Sequence, residues 1–528
     1  MNYKQKKSDP FRKENPMGCS NYKSLLTNYE EIHPKHHQQQ NNSEKLTFQS
    51  EMSEAAQDDL WLGLDLGTTS AKAVLLGSNG VVLASQSCPT CSEVASDIGD
   101  RGYEQSPIQV LKVLNKLVLS LVKENKMKIT GIGVTGQMHG VMFWGKGSED
   151  ISSLDHVDNS VTSNLFTWQD QRCTGQILET LPKIDQSLST GFGCATMFWL
   201  ARNRPGFFKD GQYTCCGSIV DYLVAVLCGL DHPVTSDQLA ASFGYFDETL
   251  CHWSSILQED KEFPVHLLPT IVRSGEKVGQ VNSSFQDWPT DVPVYVGMGD
   301  VQCAMYAALS SPQHAVVNIS TSIQLGFVIP EIDMPRVKQE CPESIAFFPY
   351  FFGQKLALFA GLNGGNVIQH LVESLIKWFQ DLGIHSDLSA TTLLPRLQQL
   401  ADLEINRDTS LSISPILFGE RHDPGMCGHI KGITSTNVGN IGAVFKAVSE
   451  GLVDHLHAMV PTKFLTNMGI HSLIISGSVP VNNIIVRERL NQLYSELELT
   501  MDCEGQDAVG SAVGAAKFVR DCQLKCYS

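Results

Sequence analysis

The segment GLDLGTTSAK places an aspartate at the end of an apolar run, directly before a turn of small residues. Asp65 precedes Gly67, Thr68 and Thr69, and Lys72 follows the turn. Small residues let backbone N–H groups approach phosphate oxygens, hydroxyls add donors, and a carboxylate can hold Mg2+ directly or through water. A lysine adds a positive charge near the same oxygens. The segment therefore suits phosphate binding, although an ordinary hairpin with a Gly-Thr-Thr turn explains it equally well.

A second aspartate lies at the junction between a strand pattern and a helix pattern. In GMGDVQ, Asp300 follows the apolar run VPVYVGM and precedes AMYAALS. Ligands of α/β sheets collect at such junctions, and Gly299 permits close approach. A carboxylate at this position suits a base that accepts the proton of a hydroxyl group. The alternative is an aspartate that caps the following helix.

Two other segments match nucleotide-binding patterns but lack their structural context. GIGVTG, residues 131–136, fits G-x-G-x-x-G, yet it follows a helix pattern and Ile132 and Val134 are typical of a strand. GVMFWGKG, residues 140–147, resembles a phosphate loop, but its middle is bulky and apolar and a glycine follows the lysine. A dinucleotide-dependent dehydrogenase, which rests on GIGVTG alone, is therefore the weaker hypothesis.

The elements around these segments predict an α/β chain with an internal repeat. LWLGLDLGTTSAKAVLLGSNGVVLAS predicts three strands joined by two turns, and residues 106–126 have helical periodicity. KITGIGVTGQ and GVMFWG are typical of strands. AVVNISTSIQLGFVI, residues 315–329, repeats the first hairpin with another tip of small hydroxyl residues. Two α/β domains, each with such a tip, are therefore expected, with helices in VIQHLVESLIKWFQDL and VGNIGAVFKAVSEGLVDHLHAMV and a buried strand in SLIISG.

Composition limits the classes of function. A chain of 528 residues predicts two or three domains, and 42 % apolar residues suffice for sizeable cores. The net charge of −17 disfavours binding to nucleic acid or to an anionic membrane surface. No apolar run approaches the roughly 18 residues that span a bilayer, and the first residues lack the apolar core of a secretory signal.

The cysteines and the first segment indicate where the folded part lies. Fifteen cysteines are scattered, and the Cys88–Cys91 pair has no partner pair at zinc-like spacing, so reduced thiols in the cytosol are expected. Residues 1–58 are polar and include HPKHHQQQNNSEK. Such a segment buries too little apolar surface to offset its ordering entropy, so it is expected to be disordered. Met52 is a possible alternative start.

In combination, these motifs resemble the FGGY carbohydrate kinases, which belong to the superfamily of hexokinase and actin. The resemblance extends from about Leu60 to Val519. It implies an α/β fold of two related ribonuclease-H-like domains of the actin/hexokinase superfamily, with an interdomain cleft that binds ATP and sugar. The implied division is a disordered extension at 1–59, an N-terminal domain at 60–305 on the sugar and phosphate side, and a C-terminal domain at 306–528 on the ATP side.

The resemblance also implies roles for individual residues. Asp300 falls at the catalytic base and Asp65 at the position associated with Mg2+. Thr321 falls at the position that touches the transferred phosphate, and in ISGSVPVNN the usual second glycine is replaced by Ser478. The ATP-binding positions are Gly67, Thr68, Thr69, Lys72, Ser320, Thr321, Gly364, Gly477, Ser478 and Asn482. The sugar-binding positions are Met138 and His139 in GQMHG, Trp168, Asp170 and Arg172 in WQDQR, and Gln302. FGERHDP and the helix around Glu450 also match family features.

The acceptor sugar is suggested by further stretches of sequence. GQMHG resembles the ketose-specific branch, and TWQDQRC, FGCATMFWL and SDQLAASFGYF resemble members that act on sedoheptulose. This resemblance implies a cytoplasmic, ATP- and Mg2+-dependent kinase that phosphorylates the terminal C1 hydroxyl of sedoheptulose to give the 7-phosphate. The expected partners are a small ketose and ATP, with no nucleic acid and no membrane. The alternatives are a xylulokinase-type kinase of another ketose and a non-catalytic sugar or nucleotide sensor on the same fold.

Overall fold

A computed structural model describes residues 59–124, 128–145, 154, 161–184, 188–208, 211–285, 287–384, 388–407, 410–423, 425–502 and 510–525. The expected disorder of residues 1–59 concerns a segment that, except for Asp59, lies outside these residues.

The strands of the described residues are β1 (Leu60–Leu66), β2 (Ser70–Gly77), β3 (Val82–Pro89), β4 (Glu93–Val94), β5 (Glu104–Gln105), β6 (Ile129–Gly136), β7 (Met142–Trp144), β8 (Leu165–Phe166), β9 (Cys215–Gly217), β10 (Val234–Ser236), β11 (Phe246–Asp247), β12 (His252–Trp253), β13 (Thr270–Val272), β14 (Lys277–Gln280), β15 (Pro293–Tyr295), β16 (Met298–Gly299), β17 (His314–Ile319), β18 (Ile323–Ile329), β19 (Ile345–Pro349), β20 (Lys355–Gly361), β21 (Ser412–Ser414), β22 (His429–Lys431), β23 (Ser472–Ser476) and β24 (Glu498–Met501). The α-helices are α1 (Pro107–Glu124), α2 (Gly175–Leu178), α3 (Gly193–Asn203), α4 (Ile219–Cys228), α5 (Asp237–Phe243), α6 (Ile256–Glu259), α7 (Asp300–Ala308), α8 (Met334–Glu340), α9 (Gly365–Asp381), α10 (Ala390–Asp402), α11 (Ile441–Met459), α12 (Thr462–Asn467), α13 (Ser478–Asn482), α14 (Ile484–Leu493) and α15 (Gly510–Lys525).

The first large sheet has the strand order β14-β15-β6-β1-β2-β3, and β16 also pairs with β6. β1 is antiparallel to β2 and parallel to β6. Every residue of β1 is buried, as expected for a central strand that is covered on both faces. The edge strand β3 instead alternates between exposed and partly buried residues.

The second large sheet repeats this topology. Its strand order is β19-β20-β18-β17-β23-β24, in which β17 is antiparallel to β18 and parallel to β23. β17, β18, β20, β23 and β24 correspond in order and direction to β1, β2, β3, β6 and β15. The predicted repeat of two α/β units, each with a hairpin tip, is therefore confirmed.

The elements expected from the sequence are present at the expected places. The helical periodicity at 106–126 corresponds to α1, and the hairpin at 315–329 corresponds to β17 and β18. GIGVTG lies inside β6, where its backbone N–H and C=O groups form a sheet, so it is not a dinucleotide-binding turn. β7 covers part of GVMFWGKG, while Lys146 and Gly147 are outside the described residues.

Two helices, α7 and α15, pack against each other between the two large sheets. One buried apolar cluster joins them to both sheets and includes Val74, Met298, Val316 and Phe518. The predicted domain border between residues 305 and 306 falls inside α7. The division into domains stays a prediction.

α15 approaches the first sheet so closely that glycine is required on two strands. A Cβ atom at Gly63 would lie 1.9 Å from the carbonyl oxygen of Ala512, and one at Gly133 would lie 2.4 Å from that of Ala515. The Trp61 indole also donates a hydrogen bond of 2.7 Å to Gln523. No helix of the described residues is long and apolar enough to cross a membrane.

Candidate active site

The turn between β1 and β2, residues 67–69, is held in place by hydrogen bonds to its carbonyl groups. The carbonyl of Thr68 accepts bonds from Gln105 Nε2 at 2.7 Å and Thr90 Oγ1 at 3.2 Å. The carbonyl of Thr69 accepts a bond of 3.0 Å from the N–H of Thr90. The turn is therefore fixed through its acceptors, and the described residues supply no acceptor for the N–H groups of residues 67–69. These N–H groups are available to an anion.

Asp65 lies at the end of β1, opposite Lys72 in the β1–β2 register. Its Oδ2 accepts a bond of 3.0 Å from Lys72 Nζ. Its Oδ1 is buried and has no hydrogen-bond partner among the described residues. Burial raises the pKa of Asp65, and the Lys72 ammonium opposes that shift. A buried carboxylate oxygen without a partner is a natural ligand for a cation.

Asp300 is the first residue of α7 and follows β16 directly. Its Oδ1 accepts a bond of 2.8 Å from the N–H of Val301, but the N-cap residue of α7 is Gly299 and no side chain caps this helix, so the alternative of a capping aspartate does not hold. Burial, and secondly repulsion by the Asp65 carboxylate, raise the pKa of Asp300 to about 7, although its side chain remains partly accessible. A carboxylate with such a pKa can accept a proton near neutral pH far better than an ordinary aspartate.

The segment that carries Trp168 connects the expected sugar site with the first turn. Trp168 is 43 % exposed, and its Nε1 donates a bond of 3.0 Å to Thr68 Oγ1. Asp170 and Arg172 are instead buried, and they pair with each other at 2.7 Å. Arg172 also pairs with Glu104 at 2.9 Å. These contacts suit a positioning role behind Trp168 better than the expected direct contact with sugar.

Met138 and His139 follow the end of β6, next to the residues that precede Asp300. The Met138 side chain lies against Gly299. His139 Nδ1 lies 2.9 Å from the carbonyl oxygen of Ser242. Burial lowers the pKa of His139, so the imidazole is neutral at pH 7. Because a carbonyl oxygen can only accept, Nδ1 carries the proton and Nε2 is left as an acceptor.

Gln302 lies two residues beyond Asp300, on the first turn of α7. It is 1 % exposed, and its Nε2 donates a bond of 3.4 Å to the carbonyl of Pro349. Its Oε1 is buried without a partner among the described residues. Gln302 therefore has a free acceptor beside the presumed base.

The second turn, residues 320–322, joins β17 to β18 and is braced by the start of α9. Gly365 N–H donates a bond of 2.7 Å to the carbonyl of Ser320, and Asn366 N–H donates one of 3.1 Å to that of Thr321. Gly364 precedes α9 as its N-cap residue. As in the first turn, the carbonyl groups of the turn accept the hydrogen bonds from the neighbouring segments.

The expected adenosine segment lies where β23 meets α13. Gly477 has φ +99°, and a Cβ atom there would lie 2.4 Å from the carbonyl oxygen of Ile319. Asn482 Nδ2 donates a bond of 2.8 Å to the carbonyl of Ser478 within α13. These residues therefore lie beside the end of β17, which leads into the second turn.

A cavity of about 390 Å3 separates α7 from the second turn and the start of α15. Its volume is within the range of small-molecule sites, and its lining includes Ala304, Ser320, Thr321, Ser322, Ser476 and Ser511. The first turn is not among its lining residues. Of the two turns expected to hold one nucleotide, this cavity therefore adjoins the second.

Sequence reasoning noted FGERHDP but gave no role to its residues. Glu420 is 1 % exposed and accepts bonds from Asn363 Nδ2 at 2.9 Å and from the Leu362 N–H at 3.0 Å. His455 Nε2 lies 2.8 Å from the same carboxylate. This buried network fixes the end of β20, just before Gly364. In the sequence Glu420 follows the apolar run PILFG but precedes Arg421, His422 and Asp423, so residue type alone does not mark it as buried.

The donor set bears on whether Mg2+ could be held here. No group of three or more His, Cys, Asp or Glu side chains that could hold a metal occurs among the described residues. Mg2+ usually keeps several waters and is bound through one or two carboxylates plus substrate phosphates. The partnerless Oδ1 of Asp65 fits that mode of binding.

Comparisons with known proteins match this architecture. The profile of the "FGGY family of carbohydrate kinases, N-terminal domain" matches residues 60–307. Mouse (Mus musculus) sedoheptulokinase is 38 % identical over 468 residues, which are 86 % of this chain and 96 % of the mouse protein. Xylulose kinase of Bacillus subtilis is 24 % identical over 86 % of this chain and 87 % of its own length. Among solved structures, xylulose kinase from Rhodospirillum rubrum superposes with a TM-score of 0.69 at 19 % identity, covering 87 % of this chain and 88 % of its own.

Proposed function

The chain belongs to the FGGY family of carbohydrate kinases, and we propose that it transfers the γ-phosphoryl group of ATP to sedoheptulose. The observation that carries the choice of sugar is the 38 % identity to mouse sedoheptulokinase over 96 % of that protein. The likeness to the Bacillus subtilis xylulose kinase is weaker, at 24 % identity. A cytoplasmic location, favoured by the scattered cysteines, belongs to the same proposal.

The product determines which hydroxyl accepts the phosphoryl group. A 7-phosphate carries its phosphate on C7, the primary alcohol at the end of the chain remote from the ketone. The acceptor in this proposal is therefore the C7 hydroxyl, and the C1 hydroxyl named in the sequence-based expectation is incorrect. The bond between the γ-phosphorus and the ADP oxygen breaks, a bond to O7 forms, and the proton of that hydroxyl passes to Asp300.

ATP supplies the phosphoryl group, and Mg2+ neutralises part of the charge that develops during transfer. In the proposed site, Asp65 would hold the metal through its free Oδ1. Lys72 and the N–H groups of residues 67–69 would bind phosphate oxygens. Ser320, Thr321 and Gly364 would approach the same group from the second sheet, with Gly477, Ser478 and Asn482 at the nucleoside.

Three groups are positioned to hold the ketose. His139 would accept a hydrogen bond from a sugar hydroxyl at Nε2, and Gln302 would accept another at Oε1. The exposed face of Trp168 would cover an apolar face of the sugar. The Met138 side chain lies against Gly299, the residue before Asp300, so it would limit the room around the acceptor. Asp300 then orients the attacking oxygen and takes its proton.

A coupled assay of ADP release against sedoheptulose, xylulose, ribulose and glycerol tests the proposal. The expected result is the highest kcat/KM with sedoheptulose, together with a 31P signal for a phosphate on C7. A tenfold preference for xylulose would overturn the choice of sugar but not the family. Binding of sugar and nucleotide without any transfer would instead favour the non-catalytic sensor.

A further inference from the structure

The short helix α5 contacts both the segment that precedes Asp300 and the residue His139. Gln238 and Ser242 lie four residues apart on it, and residues with this spacing share one face of a helix. Gln238 bonds to the segment that precedes Asp300, and Ser242 bonds to His139. One helix face therefore supports both the proposed base, Asp300, and the proposed sugar-binding residue His139.

Gln238 fixes the residue directly before the base. It is fully buried, and its Oε1 accepts a bond of 3.1 Å from the N–H of Gly299. On the other side of this segment, Thr135 Oγ1 donates a bond of 3.0 Å to the carbonyl of Met298. The segment leading to Asp300 is thus held from α5 and from β6, which determines where its carboxylate lies.

Ser242 fixes both the backbone and the ring of His139. Its Oγ accepts a bond of 3.1 Å from the N–H of His139, and its carbonyl accepts from Nδ1 at 2.9 Å. His139 has φ +69°, a conformation that a non-glycine residue keeps only when its surroundings impose it. The ring also stacks on Phe192 at 4.6 Å. These contacts orient Nε2 as the free acceptor.

Of the two polar atoms of the Gln238 carboxamide, Oε1 forms a hydrogen bond and Nε2 forms none among the described residues. Its Nε2 is buried and has no partner among the described residues. Buried polar atoms without partners are uncommon, and each costs stability. A glutamine retained purely for packing would be replaced by an apolar side chain at less cost. The hydrogen bond that Gln238 Oε1 accepts from the Gly299 N–H therefore points to a role at the site.

We propose that Gln238 and Ser242 are positioning residues that attach the base and the sugar-binding histidine to one rigid helix. The inference rests on the proposed kinase function. Through Gly299, Gln238 governs the transfer step, while Ser242, through His139, governs affinity for the ketose. Acceptor specificity is therefore set partly by α5, through its contacts to Gly299 and His139.

The test compares Gln238→Met and Ser242→Ala with a control on the same helix. Gln238→Met is expected to lower kcat about 10–100-fold with the ketose KM within about threefold, because small displacements of a base are costly. Ser242→Ala is expected to raise the ketose KM about 5–20-fold with kcat within about threefold. Ser236 caps α5 through a bond from Leu239 N–H of 3.3 Å, so Ser236→Ala weakens the helix without touching the site.

The outcomes separate positioning from mere stability. The inference is supported if the kcat and KM effects split between the two variants while Ser236→Ala lowers only the melting temperature. It is overturned if all three variants show the same profile, or if neither constant changes. Should the methionine variant fail to fold, Gln238→Asn keeps a neutral amide whose oxygen is one methylene group short of the Gly299 N–H. Its kcat should fall at least about tenfold with the ketose KM within about threefold, and a kcat within about threefold of wild type contradicts the inference.

The wild-type protein distinguishes this inference from the proposed function. If wild type phosphorylates another ketose in place of sedoheptulose, the choice of sugar fails and the three variants are assayed on that ketose. If wild type transfers no phosphoryl group, the proposed function fails. Calorimetry of ketose binding then still tests Ser242, because Ser242→Ala should weaken binding and Ser236→Ala should not.

Discussion

At the scale of single residues, Asp300 combines a raised pKa with a position close to a second carboxylate, that of Asp65. Burial and the neighbouring Asp65 carboxylate bring the pKa of Asp300 to about 7, and the Val301 N–H occupies only Oδ1. The same proximity that makes Asp300 a better base makes it unfavourable for the fold. Both consequences can be measured.

Asp300→Asn is expected to lower kcat by roughly 10²–10⁴ with little loss of ketose affinity. Asparagine keeps the shape and one acceptor oxygen, but it cannot take the proton at neutral pH. Single-turnover phosphoryl transfer and calorimetry on the same variant separate the two effects. Near-normal turnover would exclude Asp300 as the base, and lost binding with normal residual chemistry would make it a sugar-positioning residue.

The same variant should also stabilise the ligand-free protein at high pH. A carboxyl group whose folded pKa lies above its unfolded value of 3.8 contributes stability below pH 4, and that contribution is lost as the pH rises through about 7. Asp300→Asn should therefore melt above wild type at pH 8, and the gap should shrink as the pH falls from 7 to 4. Asp381→Asn, at a side chain 62 % exposed, is the control and should show no such trend. A pH-independent gap would contradict the raised pKa.

The sequence singled out Asp65 and Asp300, because each is a polar residue at the end of an apolar run with a glycine within two residues, and their roles stay predictions. It did not reveal the burial of Asp170 and Arg172, since residue type does not show which charges pair with each other. Ser242 and Gln238 were also missed as site residues, because their contacts join segments about 60–100 residues apart. The spacing of residues within a motif predicts the local backbone geometry, but it does not predict contacts between segments distant in the sequence. The assigned ATP and sugar contacts stay predictions.

At the scale of elements, each hairpin tip is a short turn supported by segments distant in the sequence. The strands on either side were predictable from alternating and continuous apolar runs. The braces were not, because the bonds from Gln105 and Thr90 to the first turn, and from α9 to the second, follow from tertiary packing. The turns themselves lack the side-chain bulk to hold their own conformation.

Gly477→Ala should reduce stability and raise the KM for ATP, because the added Cβ would lie 2.4 Å from the Ile319 carbonyl oxygen. Gly469→Ala is the matched control, since its φ is also positive, +82°, but no atom lies within 4 Å of the added Cβ. The control should cost about 1 kcal/mol from backbone strain alone, and Gly477→Ala should cost clearly more. Thermal melting and ATP kinetics measure the difference. Equal effects would show that backbone strain, not the contact with β17, decides the outcome.

Trp168→Phe should loosen the connection between the sugar side and the first turn. The substitution keeps an aromatic face but removes the Nε1–H bond of 3.0 Å to Thr68 Oγ1. An increase of about three- to tenfold in the KM for ATP, with a smaller change for ketose, is expected from the loss of about one hydrogen bond. Kinetics with each substrate varied in turn measure this. A change confined to the ketose KM would contradict a link between Trp168 and the turn.

At the scale of the whole molecule, α7 and α15 lie between the two sheets, and the cavity beside them is lined by residues of the second turn and not of the first. In the proposed function both turns hold one nucleotide, and the sheets are therefore expected to approach each other when substrates bind. The topological repeat was predictable from two similar hairpins. The relative placement of the sheets was not, since it depends on contacts between residues far apart in sequence.

Solution X-ray scattering tests this closure. The radius of gyration should fall when a non-hydrolysable ATP analogue and the ketose are present together, and should fall less with either alone. Asp300→Asn serves as the control with natural ATP, because it is expected to bind both substrates with little turnover. An unchanged radius with both ligands bound would contradict closure.

The position of α15 has a consequence for how the chain is made. Trp61 and Gln523 form a hydrogen bond across 462 residues, and Ala512 and Ala515 cover Gly63 and Gly133 on the central strands. During synthesis, β1 and β6 emerge long before the helix that covers them. The first sheet therefore cannot complete its packing on the ribosome until almost the whole chain has been translated, and its apolar face stays exposed to chaperones or to aggregation in the interval. Expression of residues 60–307 alone should accordingly yield an insoluble product, which co-expressed residues 308–528 should rescue.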